Sequence, residues 1–200
     1  MEASDFAAAA ARLCSECGLC CNGVMFHTVK MQPVDSTKAL AALGLKLKRK
    51  SGGQYLQQPC PAFCGTHCSI YQSRPERCRL FECQQLKRLA ANATTEVAAL
   101  EQIREAQRRV GELEKLLEKS GKTDPKRPLS KRYEKVTAEP LDDSADPVAL
   151  ELRNRLTLAM REIDTFLDRE FRLIPVNGAA DAVSRRKQRA GSGDFSNTIK

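Results

Sequence analysis

Nine cysteines, all within the first 83 residues, constrain this chain more than any other feature. Residues 1–5 lack the basic region of a secretory signal, and no stretch is apolar enough to cross a bilayer. We therefore expect a cytoplasmic protein without a membrane partner. In a reducing compartment, closely spaced thiols serve metal ligation or catalysis rather than disulfide formation. The sequence thus predicts a metal-binding protein.

The rest of the composition excludes several kinds of enzyme. The chain has 200 residues, no tryptophan and only 5% aromatic residues, so a large aromatic-lined pocket or separate cofactor and substrate lobes are not expected. Two histidines, His27 and His67, are too few for a histidine-rich zinc or di-iron site. No glycine-rich phosphate-binding motif is present. We expect a metal-binding protein rather than an enzyme.

The cysteines fall into two clusters along the chain. The first contains Cys14, Cys17, Cys20 and Cys21, and the second contains Cys60, Cys64, Cys68, Cys78 and Cys83. A spacing of three residues lets the backbone turn so that two sulfurs face one ion, and Gly18 can adopt the positive φ that such a turn often needs. Neighbouring Cys20 and Cys21 point in opposite directions on an extended backbone, which favours two separate metal centres.

The order and spacing of these residues resemble the CxxCxxCC cysteine-cluster family of zinc- or iron-chelating domains, over about residues 14–83. The matching positions are Cys14, Cys17, Cys20, Cys21, Cys60, Cys68-Ser69-Ile70-Tyr71, Arg74-Pro75, Cys78-Arg79-Leu80-Phe81 and Cys83. Cys64 departs from the family pattern. The predicted ligands are therefore the eight matched thiols, Cys14, Cys17, Cys20, Cys21, Cys60, Cys68, Cys78 and Cys83.

Eight thiolates suit two tetrahedral four-thiolate zinc or iron sites, or one such site and an iron–sulfur cluster. His67, beside Cys68, is an alternative ligand, although a lone histidine is more typical of an ordinary hydrogen-bonded side chain. Arg74 and Arg79 are predicted to donate N–H groups to the ligating sulfurs and to offset their negative charge. The alternative for these arginines is a solvated basic turn interrupted by Pro75.

Periodic apolar residues after the cysteines predict two amphipathic helices, over residues 94–119 and from Asp146-Pro147 to Pro175. Their stripes indicate packing against each other, with a protein partner or self-association as the alternative. The predicted fold is mainly α with irregular loops. It consists of a small metal-stabilised cysteine-cluster domain at 1–88, an antiparallel helical hairpin at 89–175 and a disordered basic tail at 176–200. A short helix capped by residues 35–36 is predicted to end at Gly44.

Two other functions remain open from the sequence. A related cysteine cluster occurs in flagellin lysine methylases, which makes an iron–sulfur-dependent protein lysine methylase the enzymatic alternative, but no methyl-donor site is recognisable. The basic run 46–50, predicted as a mobile loop, allows a nucleic-acid-binding zinc module. That run has no interleaved aromatic residues, and two divalent ions on eight thiolates would lower the formal charge of residues 1–88 from +6 to about +2. Nucleic acid is therefore not the expected partner.

Overall fold

The computed structural model describes residues 3–65, 67–121, 124–138, 146–173 and 198–199, and it is mainly helical over these ranges. Its helices are α1 (Ala3–Cys17), α2 (Thr37–Ala42), α3 (Glu76–Leu80), α4 (Gln84–Ala90), α5 (Glu96–Lys119), α6 (Leu129–Thr137) and α7 (Pro147–Glu170). Its strands are β1 (Thr28–Lys30), β2 (Leu47–Lys50), β3 (Gly53–Gln57) and β4 (Thr198–Ile199). None of the described helices is both long and apolar enough to span a membrane.

The two long helices begin where capping side chains satisfy their first N–H groups. The Thr95 hydroxyl accepts from the Ala98 N–H at the start of α5, and the Asp146 carboxylate accepts from the Val148 N–H at the start of α7. The helices pack side by side, with the Arg109 guanidinium 4.8 Å from the ring centroid of Phe166. The predicted helical hairpin is confirmed as part of a mainly α fold.

The main hydrophobic core is built on these two helices and also includes α1 and α4. Its buried residues are Ala9, Leu13, Leu19, Met25, Leu86, Leu89, Ala99, Ile103, Ala106, Val110, Leu113, Leu116, Leu117, Leu129, Leu156, Ile163, Phe166, Leu167 and Phe171. Most of the two predicted stripes therefore lies in the core. Val97 is the exception, because its side chain is 70% exposed. The core fixes the position of the first cysteine cluster, since Cys14 and Cys17 lie on α1.

A small mixed sheet carries a second hydrophobic cluster beside the main core. The strand order is β2-β3-β1-β4, with β4 parallel to β1. The second cluster contains Val29, Met31, Leu40, Leu45, Leu56, Cys60 and Ala62. The basic run 46–50, predicted as a mobile loop, instead supplies β2, because Gly52 and Gly53 adopt positive φ and turn the chain back into β3.

Two other segments refine the sequence prediction. The short helix appears as α2, with Ser36 accepting from the Ala39 N–H and Gly44 at a φ of 84°. The connection between the two long helices contains α6, where buried Arg132 forms an ion pair with Glu114 of α5. The predicted disordered tail lies outside the described residues except for the two residues of β4.

Candidate metal centre

The first cysteine cluster is positioned by the end of α1 and the turn that follows it. Cys14 and Cys17 are three residues apart on the last helical turn, so both sulfurs lie on the same side of the helix. Gly18 then adopts a φ of 65°, as its predicted role requires. The Gly18 carbonyl accepts from the N–H of Cys21 at 2.8 Å, which closes a turn around Cys20.

Gly18 is also required by close packing. A Cβ atom on this residue would lie 2.5 Å from Cζ of the Phe63 ring, well inside normal contact distance. Phe63 belongs to the loop that carries the second cysteine cluster. The absence of a side chain at Gly18 therefore lets the two clusters approach each other.

The second cluster reaches the first through backbone hydrogen bonds and short helices. The Cys60 N–H donates to the Cys21 carbonyl at 2.7 Å. Cys68 pairs with Phe63 in an isolated antiparallel bridge, and Cys78 lies on α3. Cys83 is the N-cap residue of α4, which packs against α1. Residues far apart in sequence are thereby brought around one space.

All eight predicted ligands line a single cavity of about 110 Å³. They are Cys14, Cys17, Cys20, Cys21, Cys60, Cys68, Cys78 and Cys83. Apolar side chains form most of the remaining wall, including Leu19, Phe63, Ile70 and Phe81. Phe171 reaches the same cavity from the end of α7. Such a lining excludes water, which strengthens the interaction of a cation with thiolates.

Burial in this cavity controls the acidity of the thiols around Cys20. It raises the pKa of Cys20 well above its ordinary value, and the thiols of Cys17, Cys83, Cys21 and Cys14 raise it further, in that order. Burial also raises the pKa of Cys17 to about 12, with Cys83 and Cys14 adding to the effect. The pKa of Cys14 rises to about 11, because its sulfur is enclosed even though the residue is exposed.

The thiols around Cys21 are largely different ones, with Cys14 shared between the two residues. Burial raises the pKa of Cys21, and the neighbouring thiols of Cys60, Cys78, Cys68 and Cys14 raise it further, in that order. Burial raises the pKa of Cys78 to about 12, and the thiols of Cys60 and Cys68 add to the effect. Cys20 and Cys21 therefore face different sets, although they lie in a turn rather than on the extended backbone expected from the sequence.

We name these sets by their central residues. The Cys20 group contains Cys14, Cys17, Cys20 and Cys83, and the Cys21 group contains Cys21, Cys60, Cys68 and Cys78. The two groups also differ in the hydrophobic cluster against which they pack. Cys17, Cys20 and Cys83 pack against the helical core, whereas Cys21, Cys60, Cys68 and Cys78 belong to or pack against the sheet cluster.

Backbone N–H groups already favour the ionised form of several of these thiols. Burial raises the pKa of Cys60, while the N–H groups of Ala62 and Phe63 act in the opposite direction. For Cys83, the N–H groups of Leu86 and Gln85 likewise oppose the effect of burial. These two N–H groups face the Cys83 sulfur at the start of α4, although the side chain makes no capping hydrogen bond. Donors directed at sulfur stabilise a metal-bound thiolate as well as a free one.

Arg74 lies against both groups. It lines the cavity, its guanidinium carbon is 3.7 Å from the ring centroid of Tyr71, and its Nε is buried without a hydrogen-bond partner. Its positive charge opposes the effect of burial on the pKa of Cys14, in the Cys20 group, and of Cys78, in the Cys21 group. The sequence singles out this arginine, but not its stacking on Tyr71.

Other residues considered from the sequence lie elsewhere. Arg79 forms an ion pair with Glu76, is about half exposed and does not line the cavity. Cys64 is exposed, also outside the cavity, and its N–H donates to the His67 carbonyl. His67 contributes to the cavity lining, whereas Nε2 of His27 is 2.6 Å from Oγ of Ser130.

The cavity has the donor chemistry of a metal centre but not its finished geometry. Over the described ranges, no three histidine, cysteine, aspartate or glutamate side chains are already arranged as ligands of one ion. The sulfurs instead lie around a space with a mainly apolar lining, with N–H donors and the buried Nε of Arg74 beside them. An all-sulfur donor set of this kind fits zinc or iron better than calcium or magnesium.

Raising the pH above 9 is expected to destabilise the metal-free, reduced protein. The pKa of Cys14 is raised to about 11, and those of Cys17 and Cys78 to about 12, from an ordinary value of 9.0. Their protonated forms stabilise the fold fully below pH 9, and this contribution is lost as the pH rises through 9 to 12. The expected slope approaches about 1.4 kcal/mol per pH unit for each of Cys17 and Cys78, and solvent screening makes it smaller for the exposed Cys14.

Urea unfolding of chelated protein at about pH 8 and pH 10 measures this effect. Metal-loaded protein is the control, because its thiols are already ionised and its metal affinity instead falls as the pH is lowered. Parallel pH dependences in the two forms would show that these thiols do not titrate as argued.

Comparison with known proteins finds a match to one family. Residues 13–105 match the model of the CxxCxxCC family, whose description is "Putative zinc- or iron-chelating domain". The match confirms the resemblance seen in the cysteine spacing and supports metal binding by this segment. Neither a curated protein nor a solved structure matches the chain.

Proposed function

We propose, from the match of residues 13–105 to a family of chelating domains, that this protein binds zinc or iron at two thiolate centres. The Cys20 group would hold one centre and the Cys21 group the other. Both are four-thiolate sets, which suits a tetrahedral ion or an iron–sulfur cluster in each case. The shared cavity wall would keep water from both centres.

One observation carries this proposal: eight thiols from distant parts of the chain surround one apolar cavity and divide into two sets of four. Uncharged thiols alone are compatible with a packed core, since a free cysteine behaves as a small apolar residue. Such packing does not account for the unpartnered Nε of Arg74 or for backbone donors directed at Cys60 and Cys83. Both features stabilise negatively charged thiolates. A bound cation would keep the thiols in that ionised form.

Arg74 would serve both centres in this arrangement. A four-thiolate site with a divalent ion carries a net charge of about −2, which is costly in an apolar cavity. A guanidinium near Cys14 and Cys78 offsets part of that charge in each group, and stacking on Tyr71 holds it in place. Arg79 is left out of this role because Glu76 already pairs with it.

The proposal is tested by comparing two cysteine variants. Cys78→Ser is expected to remove the metal of the Cys21 group and to lower the total metal content by about half, since a four-thiolate site does not tolerate loss of a ligand. Cys64→Ser is the matched control, because its thiol is exposed and outside the cavity. Elemental analysis of anaerobically purified variants measures both. Equal metal losses in the two variants would make Cys64 a ligand and contradict the proposed sets.

A further inference from the structure

The region that carries the sheet has an unbalanced positive charge. No aspartate or glutamate occurs in residues 36–75, whereas the same stretch has six lysines and arginines. The acidic residue just before it, Asp35, is fully engaged, because its two carboxylate oxygens accept from the N–H groups of Gln32 and Glu76. Within this stretch, no carboxylate therefore offsets the positive charge.

The sheet register gathers part of this charge on one face. Tyr55 of β3 is the direct partner of Lys30 in β1 and of Lys48 in β2. Cross-strand partners share a face, and Lys50 shares it with Lys48 because side chains alternate along a strand. Val29, Leu47 and Leu56 point the other way, toward the sheet cluster. One tyrosine is thus surrounded by three lysines on the side away from the core.

Individual contacts agree with this placement. The Lys50 ammonium nitrogen is 5.7 Å from the ring centroid of Tyr55. A Cβ atom on Gly53, the partner of Lys50, would lie 3.6 Å from Cε of Lys30. Among the described residues, none of the ion pairs involves Lys30, Lys48 or Lys50.

An open groove of about 740 Å³ borders this face. Its lining includes Lys30, Gln32, Tyr55 and Arg77. The Nε of Arg77 is buried and has no hydrogen-bond partner. The groove therefore adds one guanidinium and amide groups to the lysines around Tyr55, and Asp35 also lines it.

We propose that this face, defined by Lys30, Lys48, Lys50 and Tyr55, binds single-stranded nucleic acid. Lysines spaced around one aromatic ring match a strand whose phosphates alternate with bases that can stack. An acidic polypeptide would use the lysines but not the ring. The basic run alone does not indicate this role, since its aromatic neighbour comes from the next strand. The proposal does not depend on metal binding by the cysteines.

Binding is tested by fluorescence anisotropy of the full, metal-loaded chain with labelled uridine and thymidine 20-mers at about 0.1 M salt. The variant Lys30→Gln, Lys48→Gln, Lys50→Gln is expected to bind about 100-fold more weakly and to reduce the slope of log K against log salt by about 2. The matched control is Lys115→Gln, Lys119→Gln, Lys126→Gln, which removes the same charge from exposed positions on α5 and the loop after it. Screening should limit its effect to about threefold.

Tyr55→Leu separates nucleic acid from other polyanions. It is expected to weaken binding about 10-fold while leaving the salt dependence unchanged, because stacking is lost and the phosphate contacts remain. Metal content should stay the same in all three variants, which keeps this test apart from that of the proposed metal centres. The proposal is overturned if the wild-type chain binds neither oligonucleotide. Equal weakening by the two triple variants, or an unchanged affinity of Tyr55→Leu together with displacement by polyglutamate, would overturn it too.

Discussion

Chelation of the metal is expected to unfold residues 28–80 while most of the helical structure persists. The main core contains nineteen buried apolar residues, whereas the sheet cluster contains seven, one of which is Cys60. So small a cluster offsets little of the entropy lost on ordering the loops around it. A structural zinc site contributes on the order of 10 to 16 kcal/mol of apparent binding free energy at neutral pH. We therefore expect the metal to dominate the stability of this part.

Limited proteolysis and amide hydrogen exchange, in the presence of a strong chelator and reductant, measure this effect. Cleavage and exchange should increase within residues 28–80, while far-ultraviolet circular dichroism changes little. The sequence alone predicts a metal-stabilised domain over all of residues 1–88. The structure narrows the metal-dependent part to residues 28–80, because Leu19 and Met25 are buried in the helical core. A protease-resistant, demonstrably metal-free 28–80 segment would show that apolar packing suffices.

Pairs of cysteine substitutions are expected to have effects that depend on the thiol group. Cys20→Ser with Cys83→Ser removes two ligands from the Cys20 group and should leave about half of the metal. Cys20→Ser with Cys60→Ser damages both groups and should remove nearly all of it. The reason is that three or fewer thiolates no longer satisfy a tetrahedral ion, so each damaged group loses its metal.

Elemental analysis of the two double variants gives the comparison, with retained helical circular dichroism as the check on folding. Adding Cys64→Ser to either double variant provides the control and should change nothing, since this thiol lies outside the cavity. If the Cys20 and Cys83 pair loses all the metal, the eight thiols form one shared cluster, and the division into two groups is wrong.

The helices show which structural elements local sequence patterns can predict. The periodic stripes predict α5 and α7, and a capping residue with a terminal glycine predicts α2. Helix α6 is missed because its nine residues are mostly polar and follow Pro128, so its stability depends on packing rather than periodicity. Strand β2 is missed because its mostly basic sequence does not indicate a strand, and its pairing with β3 is a tertiary contact. Local signals therefore identify the long helices but not the elements fixed by tertiary contacts.

The metal centre shows a similar division. Spacing and family resemblance identify all eight thiols that line the cavity. They do not reveal that Cys83 influences Cys14 and Cys17, which lie about seventy positions earlier. That proximity arises because α4, which Cys83 precedes as its N-cap residue, docks on α1. The proposed grouping of the thiols is thus a property of helix packing and is not encoded in local spacing.

The metal-to-protein ratio of the wild-type chain, purified anaerobically and analysed together with its absorption spectrum, tests the central claim most directly. We expect both thiol groups to be filled, giving two zinc ions per chain, or iron with matching acid-labile sulfide and visible absorption where a group holds a cluster. Fully folded, anaerobically prepared protein with less than one metal ion per chain would contradict the account.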